Sequence, residues 1–533
     1  MPTQHPTSLL NELVTGLEES RRPQAVSGER RVHVSELTSL PAFVYEKLRN
    51  IVDYKDEQLL RKNAIRRFLK RSFFLPQLAS QPASLAQALV RELVLSRYVA
   101  NDSVAETTVA ALSQALIKYL GLLNELRRLG CDAPRWREAL IGIAAVEADG
   151  YLVPPTERNA YAGYAAKLLR TTLELENAFG SEDDKRVQLV LTILRVMERA
   201  DRDILHYYLL LHYYGQWFSL PADQAARYLA PLFAGFLKQS TTILEGELGK
   251  RLLPVVKRLL VPLVILRNVL KDHEGTLREL VERTSELEHK VRETYQRVWR
   301  ATRRRIRRKG FHAVVYIFIT KIVVALLLEL PYEQLILGEI SYLPLGINLA
   351  FPPILMMVIT LMIKSPGVHN EERVVAGVRE MVYGGEADFY KPHRFVPRRA
   401  KLWAKFLYGL LYTITVGVSF SAVVFVLWRL GFNVLSGALF IFFASLVSFF
   451  GISLRQQARQ LKVVEGRETL TGFVVDFFTF PLVAFGKWLS ITFDRYNFFV
   501  FLLDFLFEVP FKTLLKVIED WFAFLKEKKE EMF

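Results

Sequence analysis

The sequence predicts an all-α protein: a cytoplasmic helical domain plus a long stalk helix, a four-span transmembrane helical domain, and C-terminal amphipathic membrane-surface helices. Three observations predict it. Apolar residues recur three and four positions apart through most of the chain, without the sustained alternation of strands. Four segments, about 311–330, 341–363, 406–428 and 433–454, stay apolar over the roughly 20 residues that a bilayer crossing takes. Cations, finally, are gathered in blocks beside those segments.

Residues 1–40 are polar and broken by Pro, Gly and Ser, which reads as a flexible tail. They hold no apolar core of signal-peptide length, so insertion is expected through an internal segment. Residues 41–240 read as a soluble all-α domain. "LAQALVRELVLSRYV" and "TTVAALSQALIKYLGLLNELRRL" repeat apolar positions on one helical face, and turns fall at Asn101-Asp102-Ser103, Gly130, Gly180-Ser181 and Leu220-Pro221. "YKDEQLLRKNAIRRFLKRSFFL" (Tyr54–Leu75) sets Arg61, Lys62, Arg66, Arg67, Lys70 and Arg71 around a narrow apolar strip. Two readings stay open there: a solvated helix face, or a partner-binding helix for an anionic surface.

"LIGIAAVEADGYLVPPTERNAYAGYAAKLL" (Leu140–Leu169) resembles the helix–Ala-Asp-Gly–turn–helix of TerB-like helical domains, a family linked to membrane-associated stress responses. The resemblance covers two helices and one turn, and it implies that Asp149 and Glu157 stand at that turn.

From 241 to 310 little stops a helix beyond a few Gly and Pro. Leu277, Leu280, Leu287, Val291 and Val298 form a loose heptad. The expected stalk either pairs as a coiled coil or packs on its own domain. Its end is basic: residues 297–310 hold eight Lys/Arg and no acid, among them Arg303, Arg304, Arg305, Arg307, Arg308 and Lys309. The loop 391–405 holds six more, including Arg398, Arg399 and Lys401, again with no acid. By contrast, 331–340 carries two glutamates and no cation. Cations stay on the cytoplasmic side, so a plasma (inner) membrane protein is expected, with both termini cytoplasmic. The two blocks supply fourteen of the fifteen net positive charges. That basicity serves topology and anionic headgroups; nucleic acid is not the expected partner.

The transmembrane domain is taken as 311–455. Lys321 sits about twelve residues into the first span, roughly 18 Å deep at 1.5 Å per residue. It either snorkels or faces a polar cavity. The second span contains Pro344, Gly346, Pro352 and Pro353, so a kink or break is expected. The tail, 456–533, carries fifteen of the thirty-seven phenylalanines with a polar stripe every fourth residue, Asp504, Glu508, Lys512, Lys516 and Asp520. It is expected to lie on the membrane. Should it dip inward, Asp504 or Glu508 becomes the acid outside the first span able to approach Lys321.

Catalytic signatures are missing. "GELGKR" lacks the spacing of a phosphate loop, "HEGTL" lacks a second histidine, and His206 and His212 point to opposite sides of a helix. "GVSFS" lies inside the third span with no intramembrane histidine to activate its serine. One cysteine, Cys131, excludes an internal disulfide. No cofactor is expected. The reading is therefore a non-enzymatic, multi-pass scaffold or adaptor that presents its helical domain to a protein partner, a second copy of the chain being a further candidate. The alternative is a channel or transporter using Lys321 and the Pro-broken second span.

Overall fold

Helix formers and apolar stripes at i, i+3 and i+4 dominate the chain, and the computed structural model is all-α apart from one two-stranded sheet. It describes residues 5–21, 30–33, 57–73, 82–130, 133–176, 179–273, 275–363, 367–385, 388–396, 402–464 and 470–496. The chain divides into two units: residues 1–295 with 370–397, and residues 296–369 with 398–533.

The first unit is built around α4 (Glu106–Arg128), which packs against α3 (Pro82–Leu95), α5 (Pro134–Leu152) and α9 (Ala222–Leu244). Leu112, Leu116, Leu122 and Leu123 of α4 meet Leu89, Phe233 and Trp217 in one core. Around it stand α2 (Glu57–Ser72), α6 (Thr156–Thr172), α7 (Glu182–Met197) and α8 (Arg202–Tyr213). Ser181 caps α7 through a reciprocal pair with Asp184, satisfying two otherwise orphaned amides.

Three expectations about this half need correction. The polar opening segment contains α1 (Ser8–Arg21), whose Leu10, Leu13, Val14 and Leu17 are buried on one face and packed on α6. The expected stalk is interrupted: α10 (Glu247–Leu259), α11 (Val261–Asp272) and α12 (Leu277–Glu282) are separate, and Leu252, Val256, Leu266 and Val269 are fully buried within the domain. Only α13 (Thr284–Val324) is long. The loop between spans two and three is not a plain connection either, since α15 (Val368–Tyr383) and a strand belong to the first unit. Gly377 of α15 meets Pro262 and Phe389 so closely that a methyl there would overlap the proline ring. Tyr383 donates to the Val281 carbonyl at 2.7 Å, and β2 (His393–Phe395) pairs in parallel with β1 (Leu173–Leu175).

Among the described residues four helices are long and apolar enough to cross a membrane: Thr284–Leu337, Tyr342–Leu361, Phe406–Arg429 and Val434–Leu461. Their outward residues are large and apolar (Leu335, Leu361, Phe406 and Val434 are all exposed), which suits a surface solvated by lipid. The second span, α14 (Tyr342–Leu361), stays α-helical through Pro352 and Pro353, so the expected break is absent. Irregular backbone occurs instead at the end of the first span, in two π-helical stretches, Ala325–Glu329 and Glu333–Leu337. Pro331 falls between them. Its missing N–H and its ring disturb the Leu327 carbonyl four residues back, which favours a widened turn there.

The helix α18 (Leu470–Tyr496) packs along α16 (Leu402–Arg429) and α17 (Val434–Ala458). Phe480 meets Tyr412 and Phe485 meets Phe420, so α18 runs in the same direction as α16. A helix lying alone on the membrane surface is thus replaced, over these residues, by one joined to the bundle. Residues 497–533, with Asp504 and Glu508, lie outside the described residues. The seam depends on Gly486, where a methyl group would overlap the Ser445 carbonyl oxygen. Gly486→Val is therefore expected to destabilise the second unit by about 2 kcal/mol or more, read as a lower thermal midpoint in detergent. An unchanged midpoint would contradict this packing.

Candidate functional site

Two constellations of buried charge stand out, one in each unit. In the first unit, α2 lays its basic face against α5 and α8. Lys62 is 2% exposed and is held by Asp201 and by Asp203 at 2.8 Å. Arg66 reaches Asp203 at 3.2 Å, and Arg61 grips Asp149 in a two-pronged contact of 2.5 and 3.1 Å. Asp203 can come so close to α5 because position 142 is glycine; a methyl group there would overlap its carboxylate. Lys70 pairs with Glu138 and Arg71 with Glu92. Of the six cations proposed for an anionic partner, these five have acidic neighbours inside the domain, and Lys62 has no access to a partner.

Beside this cluster opens a cavity of about 370 Å³. Lys62, Asp149, Arg158 and Glu198 line its polar side, and Tyr151, Tyr207, Tyr208 and Phe218 its aromatic side. Glu198 is held by Arg267 at 2.9 Å. Glu147, on the same wall, accepts a hydrogen bond from the Tyr119 hydroxyl at 2.6 Å. Burial pushes the Glu147 carboxyl above the usual carboxylate range, with the tyrosine bond opposing. Burial likewise lowers the Arg158 guanidinium from its ordinary value. Asp149 falls within the last turn of α5 and Glu157 in the first turn of α6, flanking the turn at 153–155.

The second constellation lies within the second unit. Lys321, Glu329, Glu333, Asn348 and Ser436 are all fully buried. The Lys321 ammonium lies 3.4 Å from Glu329 Oε1 and 4.8 Å from the centre of the Phe443 ring. Eight residues of regular α-helix would leave positions 321 and 329 about 80° apart around the axis. The π-turn advances roughly 80° per residue instead of 100°, and over five residues it brings both side chains onto one face. A regular helical period hides this pair in the sequence. Pro331, two residues beyond Glu329, was the available signal.

Partners for the two glutamates come from neighbouring helices. Asn348 of α14 donates through Nδ2 to Glu329 Oε1 and to the Ser436 carbonyl, the latter at 3.1 Å. Glu333 is better provided: Asn433 Nδ2 at 2.7 Å and the Ser436 hydroxyl at 3.4 Å donate to Oε1, and the Ser341 amide at 2.9 Å to Oε2. Ser341 and Asn433 precede the first residues of α14 and α17, so Glu333 sits at two helix N-termini, where the backbone dipoles favour an anion. These polar residues read in sequence as loop and cap, not as a site.

Of the proposed headgroup contacts, Arg304, Arg305, Arg307 and Arg308 are exposed, whereas Arg303 and Lys309 are half-buried and Lys309 reaches Gln457 at 3.4 Å. Arg398, Arg399 and Lys401 lie outside the described residues. No family model, curated protein or solved structure matches the chain.

An uncompensated charge in this interior costs several kcal/mol. Lys321→Leu, which strips the Glu329 carboxyl of its ammonium, is expected to lower stability by about 3 kcal/mol. Adding Glu329→Gln should recover more than half of that loss. Denaturation of both single variants and the double variant in detergent checks the coupling. Strict additivity would mean that the two side chains do not interact.

Proposed function

We propose that this protein is a multi-pass, membrane-anchored scaffold or adaptor that presents a cytoplasmic helical domain to a macromolecular partner. The observation that carries the reading is the cavity of the first unit. Lys62, Asp149 and Glu198 on its wall have partners inside the domain, which leaves aromatic and aliphatic surface for recognition. Exposed Tyr151 and Leu211, both on the lining, and Val153 beside Tyr151 offer apolar anchors of the kind interfaces use.

Anchoring draws support from the make-up of that unit. Its two stretches, 1–295 and 370–397, fold together, and the chain between them contains two of the candidate spans. Two crossings return a chain to the face it left, and the cation-rich flanks favour the cytoplasmic face. The second reading, a channel or transporter, rests on Lys321 at membrane depth and gains nothing from α14, which is continuous.

Two measurements test the proposal. On a Cys131→Ser background, a cysteine at 335 should label only from the side opposite to the first unit, and one at 385 only from the cytoplasm. Labelling of 335 from the cytoplasm would overturn the topology. A photo-crosslinker at 151 in native membranes should yield one discrete protein adduct, reduced at least tenfold by Leu211→Glu. No adduct, together with ion or solute flux through proteoliposomes, would favour the second reading.

A further inference from the structure

Three ionisable side chains are fully buried in the second unit among the described residues: Lys321, Glu329 and Glu333. Together they carry one net negative charge, however a proton is shared between the lysine and its glutamate. The two carboxylates are not equivalent. Glu333 accepts three hydrogen bonds across both oxygens and lies at two helix N-termini. Glu329 receives the Lys321 ammonium and the Asn348 amide on the same oxygen, Oε1. Its Oε2 is buried without a partner, and so is Asn348 Oδ1. Two buried acceptors of this cluster therefore lack a hydrogen, which is an arrangement native interiors avoid.

We propose that Glu329 is an intramembrane proton-binding site, with Asn348 as its positioning residue. A hydronium ion of the bulk water gives up a proton: its O–H bond breaks, an O–H bond forms at Glu329 Oε2, and a water molecule is left behind. The buried charge then sums to zero, and a bare acceptor becomes a donor beside the unpartnered amide oxygen. Lys321 keeps a favourable neighbour when this happens, because its ammonium also faces the Phe443 ring. A hard metal cation fits less well: such ions take about six oxygen ligands, and an ammonium already occupies the cation position 3.4 Å from Oε1. The groups facing Glu329 are Lys321 and Glu333 on its own segment, Asn348 on α14 and Ser436 on α17, while Phe443 of α17 faces Lys321. Glu339 and Arg429 carry the nearest other charges in sequence on the flanking segments, and both are exposed. The inference does not depend on the scaffold reading; a proton site at this depth suits an anchor that senses pH as well as one that moves protons.

Infrared difference spectroscopy on the full chain in lipid nanodiscs, titrated from about pH 5 to 9, reads this directly. A Glu147→Gln background removes the other buried acid expected to give a protonated-carboxyl band. The expected result is a carboxylic-acid carbonyl band that disappears as pH rises, is absent in Glu329→Gln, and moves in frequency in Asn348→Ala, which removes its hydrogen-bond partner. Where Glu329→Gln fails to fold, the Asn348→Ala shift decides alone. A band unchanged by both substitutions, a band lost in Glu333→Gln but kept in Glu329→Gln, or no titrating band would each overturn the proposal. So would a band abolished at fixed pH by exchanging potassium for sodium, which would identify a metal ion at the site.

Discussion

Burying the Lys321 ammonium among apolar helices requires a compensating carboxylate, and the architecture of the second unit follows from that requirement. Glu329 reaches the lysine because the backbone widens after Val324, and Pro331 gives the widened turn a local cause. Asn348 then ties α14 to the pair, while Glu333 ties the starts of α14 and α17 together through Ser341, Asn433 and Ser436. Apolar side chains alone supply little directional preference inside a bilayer, where lipid tails are as greasy as leucine. Polar contacts of this kind fix which helix stands next to which.

The first unit meets buried charge in the same way. The basic face of α2 would repel itself if it were exposed as a block. Placed against Asp149, Asp201 and Asp203, it becomes a means of holding α2 to α5 and α8. Desolvating these charges is tolerable because each buried member has a partner within hydrogen-bond reach. A cavity bordered by such a network keeps its shape, and recognition falls to the tyrosines and leucines around it.

Much of this was legible in the chain itself. The four spans could be read because hydropathy over twenty residues is a strong signal, and the helices of the first unit because their apolar stripes are long. Three things escaped. The helix α1 was hidden by averaging: Leu10, Leu13, Val14 and Leu17 make a sound apolar stripe inside a segment judged by its Pro, Gly and Ser content. The partners of Lys62 and Arg61 were invisible because an ion pair between residues about ninety or more positions apart leaves no local pattern. The Lys321–Glu329 pair escaped because it depends on five residues departing from the regular period. Composition and periodicity report the elements; which charges meet is decided by tertiary geometry.

The split construction of the first unit sets an order of events during synthesis. Residues 1–295 emerge first, but the partner strand of Leu173–Leu175 and the helix that carries Gly377 arrive only after 296–369 has been made. At about 5–20 residues per second, the ribosome needs roughly 4 to 15 s for those seventy-four residues. Throughout that interval the domain has an open strand edge and uncovered apolar surface, the condition in which nascent chains attract chaperones. It closes when 370–397 has been made. On the proposed topology, completion of the domain then acts as a checkpoint on insertion: a first hairpin that fails to come back leaves the domain unfinished and open to proteolysis.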